Sequence, residues 1–454
     1  MIANVNNQDV SRPDFSARFD RPVVNIEGGS VRHLVITIKA PAVPPSAEPR
    51  QPLNLGLVID ASGSMSGAPL AAAKAAALGL LEKLAASDHF SLVSFADDVI
   101  CHAEAVRLDA AGRRAVGEAI RPLVTRGSTD LFGGWVGGCE AVAKRQAAAD
   151  AAERNHVILL SDGHANQGEV NPLRLAHHAG ELRKRGVLTS TVGIGENYSP
   201  IQLQAIAEAG GGRMHDAEQP DEIAEIMFAE LTDALATTVE NLEVRLRLPR
   251  GVKAELYGTA PLNRDAEGCE ILVGSLVGGS TRRLVVKLKF PAGAADETLP
   301  IAVSARWKTP GADAVHAAEI DAPHVRFDKA RVCLSQPRCA DLARIVAEQW
   351  HAHIMLRSMM HNQDGQYQAA EEFANRERHF YARYVDGLPE LQASVSELHE
   401  FSTFTAHSVD SMTSKELLLH SYKTSRGEVD RRSRQRKSVS EFIADEAARH
   451  RGGS

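Results

Sequence analysis

The sequence predicts an α/β protein whose central unit is a doubly wound, mostly parallel sheet. From Leu53 onward, short apolar runs alternate with helical stretches, an alternation that generally gives parallel strands with helices on both sides. The apolar runs are nearly continuous, as expected of strands that are covered on both faces. The segments on either side of this unit instead alternate apolar and polar residues, which is typical of a β-sandwich. A helical region is predicted to follow the sandwich toward the C-terminus.

The elements of the central unit follow from apolar periodicity and from proline placement. The predicted strands are Leu53–Ile59, Phe90–Phe95, Val157–Leu160 and Val187–Ile194. The predicted helices are Pro69–Ala86, Ala111–Leu123, Leu131–Ala149, Pro172–Arg185, Pro200–Ala209 and Asp221–Thr237. Three of these helices begin with proline. Proline is tolerated in the first helical turn because an amide N–H at that position would have no intrahelical acceptor.

The chain divides into six segments by composition and pattern. They are a disordered N-terminus (1–20), β-strands with a Pro-rich linker (21–52), the α/β domain (53–238), a β-sandwich (239–330), a helical region (331–425) and a tail of basic and mixed charge (426–454). An isolated pair of strands is marginally stable in water. We therefore expect the strands before the linker to pair with those of 239–330, which would make the α/β domain an insertion in one sandwich.

Composition narrows the class of protein. The chain has 454 residues, 44% of them hydrophobic, and a net charge of −7, so nucleic-acid binding is not expected. No apolar run is long enough to span a membrane, and the first residues lack the pattern of a secretion signal. Five cysteines at scattered positions argue against a disulfide framework. These observations predict a cytoplasmic protein, and they leave open the role of the basic stretch RRSRQRK at 431–437.

Oxygen-bearing side chains cluster in three loops of the α/β unit. The first strand ends in Asp60-Ala61-Ser62-Gly63-Ser64, in which oxygen ligands stand at alternate positions. Thr129 lies in Gly127-Ser128-Thr129-Asp130, just before a helix, and Asp162 follows another core strand in Leu159-Leu160-Ser161-Asp162-Gly163. Ligands bind doubly wound sheets at the carboxyl ends of their strands. Hard cations prefer oxygen ligands, so the pattern predicts Mg²⁺, with Mn²⁺ or Ca²⁺ as alternatives.

Acidic residues beside these loops are predicted to have structural roles. Asp130 is expected to cap the helix that starts at Leu131. Asp97 and Asp98 are expected to form a solvated turn rather than a second metal site. His164 and Asn166 follow Asp162 and are candidates for the rim of the site.

The three loops together resemble the von Willebrand factor type A family, in order and in spacing. The resemblance rests on DASGSM (60–65), GSTDLFGG (127–134), LLSDG (159–163) and the closing GGGRMHDAEQPDEIAEIMFAEL (210–231), and it covers roughly 52–235. It implies that Asp60, Ser62, Ser64, Thr129 and Asp162 form a metal-ion-dependent adhesion site. None of these positions departs from the family pattern.

The resemblance implies a protein that binds partners rather than an enzyme. A cation held by hydroxyl groups and two carboxylates stays electrophilic, so a partner protein can offer it an Asp or Glu carboxylate. A scaffold or adaptor is the first prediction, and a complex with an ATPase, kinase or phosphatase is a candidate setting. No Walker or H-E-x-x-H motif is present. The alternative is a metal-dependent hydrolase, for which His164 is the candidate general base.

Overall fold

The predicted fold class is confirmed by a computed structural model of the chain. The structure describes residues 12–43, 50–148, 153–163, 167–312 and 314–426. A doubly wound α/β domain, a β-sandwich and a C-terminal helical region make up these residues. No helix of the described residues is long and apolar enough to cross a membrane.

The elements are numbered in chain order. The strands are β1 (Asp14–Phe19), β2 (Val23–Asn25), β3 (Val31–Lys39), β4 (Leu53–Asp60), β5 (His89–Phe95), β6 (Val99–Arg107), β7 (Arg154–Ser161), β8 (Val187–Ile194), β9 (Gly211–Ala217), β10 (Thr237–Arg247), β11 (Lys253–Tyr257), β12 (Leu262–Asp265), β13 (Gly268–Val277), β14 (Thr281–Lys289), β15 (Thr298–Pro300), β16 (Ala302–Lys308), β17 (Val315–Ile320) and β18 (His324–Asp328). The helices are α1 (Ala68–Lys83), α2 (Ala110–Ile120), α3 (Leu131–Ala148), α4 (Pro172–Lys184), α5 (Pro200–Ala209), α6 (Glu222–Ala236), α7 (Ala330–Ser335), α8 (Ala340–Gln363), α9 (Tyr367–Val385), α10 (Gln392–Phe404) and α11 (Ser411–Arg426).

The α/β domain is built on a sheet in the order β6-β5-β4-β7-β8-β9. All neighbouring pairs are parallel except β5 with β6. Strands β4 and β8 are buried along their whole length because helices cover both faces of the sheet. Because β4 and β7 are parallel neighbours, their carboxyl ends lie side by side at one edge of the sheet.

Two strands of this sheet were not predicted. β6 is the antiparallel edge strand, and its residues alternate between exposed and partly buried, so it has no continuous apolar run. β9 forms the opposite edge with the polar sequence GGRMHDA. Edge strands bury less apolar surface than central strands, and hydrophobic pattern therefore detects them poorly.

The β-sandwich combines strands from before and after the α/β domain. β3 pairs antiparallel with both β1 and β14 in one sheet, β1-β3-β14-β11. The second sheet has the order β12-β13-β10-β16-β17, and the inner side chains of both sheets form one buried core. In addition, β2 pairs with β18 in a small third sheet. The α/β domain is thus inserted between β3 and β10, and its last helix, α6, leads directly into β10.

The prediction of a disordered segment 1–20 was wrong for Asp14–Phe19. These residues form β1, which is hydrogen-bonded to β3 along its length, and Phe19 joins the sandwich core. The polar sequence DFSARF lacks the apolar pattern of a strand, and β1 is stabilised by its pairing with β3. Residues 1–11 lie outside the described part of the chain, as do 427–454, which include the basic stretch 431–437.

The C-terminal helices pack on the outer face of the first sandwich sheet. Val35, Tyr257 and Val285 of that sheet share a buried cluster with helical residues such as Trp350 and Tyr384. The last helix, α11, also reaches the α/β domain. The buried Lys415 donates a hydrogen bond to the Gly195 carbonyl, and its ammonium lies 3.1 Å from Asp216 Oδ1. The helical region therefore contacts both other parts of the molecule.

Candidate metal centre

Asp60 is the innermost residue of the candidate site. It ends β4, and its side chain has no exposure to solvent. One carboxylate oxygen, Oδ1, accepts a hydrogen bond from the Ser62 backbone N–H at 2.8 Å. The other, Oδ2, accepts from the Ser161 hydroxyl at 2.7 Å. The carboxylate is thereby fixed in one orientation at the end of the strand.

A short 3₁₀ turn at Gly63–Met65 brings the two serines of the first loop together. The Ser62 and Ser64 hydroxyl oxygens lie 3.1 Å apart, Ser62 being buried and Ser64 exposed. Met65 is fully buried and anchors the turn to the core beneath it. The backbone of this loop is also tied to the second loop, since Gly63 N–H donates to the Gly127 carbonyl at 3.2 Å.

Asp162 approaches the same point from the neighbouring strand. β4 and β7 are parallel neighbours, with Ile59 opposite Leu160, so the residues that follow them emerge side by side. The Ser64 hydroxyl donates to Asp162 Oδ1 at 2.7 Å. The first and third loops are therefore linked through side chains that the sequence assigned to the site.

Thr129 completes the cluster from the second loop. Its side chain is buried, and a methyl group built on Gly163 would lie 3.4 Å from its hydroxyl oxygen and 3.9 Å from that of Ser64. Gly163 thus leaves open the space beside these hydroxyl groups. Asp130, the next residue, caps α3 as expected, because its Oδ1 accepts from Gly133 N–H at 2.9 Å.

Burial disfavours the ionised form of both carboxylates, Asp60 and Asp162. Burial raises the pKa of Asp60 above its usual value, and the hydrogen bonds from Ser62 and Ser161 only partly oppose this effect. Burial also raises the pKa of Asp162 to about 6; the Ser64 hydrogen bond lowers it, and the charge of Asp60 raises it further. A bound cation would stabilise both ionised carboxylates.

The donor set suits a hard divalent cation. All the groups that converge here are carboxylate or hydroxyl oxygens, which Mg²⁺, Mn²⁺ and Ca²⁺ prefer to softer ligands. Within the described ranges, no group of three or more His, Cys, Asp and Glu side chains could hold a metal ion. Hydroxyl groups must therefore supply part of any coordination here, which the exposed Ser64 and the buried Ser62 and Thr129 can do.

Sequence reasoning missed one residue that shapes the site. Ser161 is fully buried at the end of β7 and orients Asp60 by its hydrogen bond. Its position immediately before Asp162 in the third loop motif was the available indication. His164 and Asn166, the predicted rim residues, lie outside the described residues. The described part of that loop contacts the second loop, as Gln167 Nε2 donates to the Ser128 hydroxyl at 2.5 Å.

Comparison with known proteins identifies a domain family that matches the central part of the chain. Residues 54–229 match the model of the von Willebrand factor type A domain. The chain is 32% identical over 292 residues to an uncharacterized protein from Synechocystis, an alignment that covers 61% of this chain and 65% of that protein. It is also 27% identical over 202 residues to human inter-alpha-trypsin inhibitor heavy chain H3. That alignment covers 43% of this chain and 23% of the heavy chain. The chain thus spans less than two thirds of either relative.

A solved structure shares nearly the whole architecture. A von Willebrand factor type A protein from Catenulispora acidiphila superposes with a TM-score of 0.65 at 18% identity. The match covers 90% of this chain and 96% of that one. At this identity the similarity establishes the fold, and its extent includes the sandwich and helical region as well as the α/β domain.

Proposed function

We propose that the chain, whose residues 54–229 match the von Willebrand factor type A domain, is a non-enzymatic protein that docks a partner protein through a divalent cation. The observation that carries the proposal is the convergence of Asp60, Ser62, Ser64, Thr129 and Asp162 at one edge of the sheet. These residues would hold Mg²⁺, with Mn²⁺ or Ca²⁺ as alternatives. The bound ion would supply a Lewis-acidic position for a carboxylate of the partner.

The arrangement of buried and exposed groups supports docking from outside. Asp60, Ser62, Thr129 and Asp162 are buried, whereas Ser64 is exposed. The side of the cluster that faces solvent is therefore the side of Ser64. The protein provides two carboxylates, which at most neutralise a divalent charge, and neutral hydroxyl groups. An Asp or Glu side chain of a partner is the natural complement, because hard cations prefer carboxylate oxygen.

The wider role follows from the same proposal. A domain that binds a partner, joined to a sandwich and a helical region, suits a scaffold or adaptor in the cytoplasm. An ATPase, kinase or phosphatase complex is the setting we propose. A hydrolase built on the same cation would need a general base, and the candidate for that role, His164, lies outside the described residues.

Affinity capture followed by mass spectrometry tests the proposal. Full-length protein should retain a partner in Mg²⁺ and release it in chelator. The double variant Ser62→Ala with Ser64→Ala should lose the partner while remaining folded, because both hydroxyl groups lie at the edge of the sheet. Retention at full strength in chelator would contradict the proposal. A hydrolytic activity abolished by His164→Ala, with metal affinity unchanged, would favour the enzyme instead.

A further inference from the structure

A shallow groove of about 260 Å³ opens on the surface of the α/β domain beside α1. One wall is a stripe along α1 formed by Gly67, Leu70, Ala71 and Lys74. The other wall is the segment 123–125, which connects α2 to α3. Helical residues spaced by three and four positions lie on one face, so the α1 wall is continuous.

Both walls of the groove lead into the candidate metal centre. Gly67 follows the 3₁₀ turn that carries Ser64, and segment 123–125 continues to Gly127 and Thr129. The two loops are joined where they meet, by the hydrogen bonds from Gly63 N–H to the Gly127 carbonyl and from Arg126 N–H to the Ala61 carbonyl. The groove therefore starts beside the candidate metal centre and runs away from it along α1.

The groove is lined mainly by apolar side chains. Val124 is 64% exposed, and Ala71 on the opposite wall is also exposed, above the buried Leu70 and Leu123. Lys74 closes the wall, since its ammonium donates hydrogen bonds to the carbonyls of Arg121 and Leu123. Lys74 also lines the groove, where its aliphatic stem can contribute apolar surface.

Exposed apolar side chains also stand on the segment that follows Asp162. Val170 is 41% exposed and Leu173, in the first turn of α4, is 81% exposed. Gln202 holds this segment in place by donating to the Val170 carbonyl at 2.9 Å. Apolar side chains are thus exposed on this segment as well as in the groove.

We propose that the groove binds an apolar side chain of the same partner segment whose carboxylate docks at the metal centre, an inference that rests on the proposed function. The α1 stripe from Gly67 to Lys74 extends about 10 Å at the helical rise of roughly 1.5 Å per residue. An extended peptide covers that length in about three residues. The occupant is an extended acidic segment with Leu, Ile, Val or Phe within about three positions of its Asp or Glu.

Charge and shape together select this occupant. A bound cation would attract the partner's carboxylate, and Lys74, whose ammonium donates to the carbonyls of Arg121 and Leu123, is the charged side chain that lines the groove. An acidic residue flanked only by polar residues would leave Val124 exposed. An acidic residue with a nearby apolar side chain covers it.

Synthetic peptides test the inference with the full-length protein. Each peptide has one central Glu among Ser residues, and a single Leu is moved through the three positions on either side. In Mg²⁺, Leu at one or two positions should raise affinity about tenfold over the all-Ser peptide, consistent with burial of one apolar side chain. Val124→Asp should remove that gain and leave the affinity for the all-Ser peptide unchanged. Val315→Asp, at a valine 60% exposed on β17, is the matched control and should preserve the gain.

The outcomes separate the groove from the metal centre. Mg²⁺-dependent binding with equal affinity for every Leu position would overturn the groove and leave the proposed function standing. A Leu-dependent gain that persists in chelator would show that groove and metal act separately, and would overturn the link between them. Absence of Mg²⁺-dependent binding to any peptide of the set would overturn both.

Discussion

At the residue scale, the fully buried carboxylate of Asp60 is oriented by hydrogen bonds from the Ser62 backbone N–H and the Ser161 hydroxyl. Alternating oxygen side chains after an apolar strand indicate a cation loop, and the structure brings Asp60, Ser62 and Ser64 together. The sequence does not state that Asp60 is fully buried or that Ser161 orients it, because both depend on the alignment of β4 with β7. Register between strands distant in sequence is a property of the folded sheet.

Metal affinity should fall as the solution becomes acidic. Burial raises the pKa of Asp162 to about 6 from a usual value of 3.8, so without a cation this side chain keeps its proton up to about pH 6. A cation requires the ionised form, and proton and metal therefore compete. We expect the apparent Mg²⁺ affinity to fall by up to roughly tenfold per pH unit as the pH is lowered from about 6 to about 5.

The raised pKa of Asp162 has the opposite effect on the folding stability of the metal-free protein, which should fall as the pH rises. A raised carboxyl pKa in the folded state favours folding below the unfolded pKa, and that contribution is lost as pH rises through the folded pKa. Calorimetric titration with Mg²⁺ at several pH values, with thermal unfolding in chelator beside it, measures both effects. Equal Mg²⁺ affinity at about pH 5 and about pH 7 would contradict the assignment of Asp162.

At the element scale, close packing of α3 against the sheet explains its glycines. A methyl group on Gly134 would lie 2.2 Å from Cγ of the buried Phe95, and one on Gly138 would lie 2.1 Å from Cγ2 of Val58. The helix can approach the strands only because these positions lack a side chain. Its N-terminus follows Thr129, and Asp130 N–H donates to the Ala96 carbonyl next to Phe95, so the helix and the second loop share this support.

Two glycine substitutions should therefore have opposite effects on stability. Gly134→Ala should lower the free energy of unfolding by about 1–3 kcal/mol, because the helix or Phe95 must move. Gly180→Ala is the matched control in α4, where an added methyl group meets nothing within 4 Å. It should raise the free energy of unfolding by up to about 1 kcal/mol through helix propensity. Denaturant unfolding measures both, and a Gly134→Ala variant as stable as the parent would refute the packing argument.

At the scale of the whole molecule, continuous apolar runs indicated the central strands and the fold class. The order of segments along the chain predicted that strands before and after the α/β domain pair in one sandwich. The structure pairs β3 with β14 across the inserted domain. The direct passage of α6 into β10 and the contact of Lys415 with Asp216 could not be predicted, since neither leaves a periodic pattern. Strands such as β1 and β9 were also missed, because their stability comes from neighbouring strands rather than from their own apolar residues.

Removal of residues 1–40 should disrupt the sandwich and spare the α/β domain. The deletion takes away β1, β2 and β3, and with them the core residues Leu34 and Ile36. β14 would lose its partner on one side, and residues 239–328 should lose protection in hydrogen exchange. Residues 54–229 serve as the internal control, because their core is separate. Unchanged protection in 239–328 would mean that the N-terminal strands add nothing to the sandwich.

Titration of the metal centre with Mg²⁺ tests the central claim most directly. Asp60→Asn keeps the shape of the innermost side chain and removes its charge, and Asp296→Asn, at a side chain 82% exposed in the sandwich, is the matched control. We expect calorimetry to show Mg²⁺ binding to the parent and the control, and binding at least about tenfold weaker, or about 1.4 kcal/mol, in Asp60→Asn. In chelator the Asp60→Asn variant should melt no lower than the parent, because it lacks a buried carboxylate whose pKa is raised. Undiminished Mg²⁺ affinity in Asp60→Asn would contradict the metal centre and the docking function that depends on it.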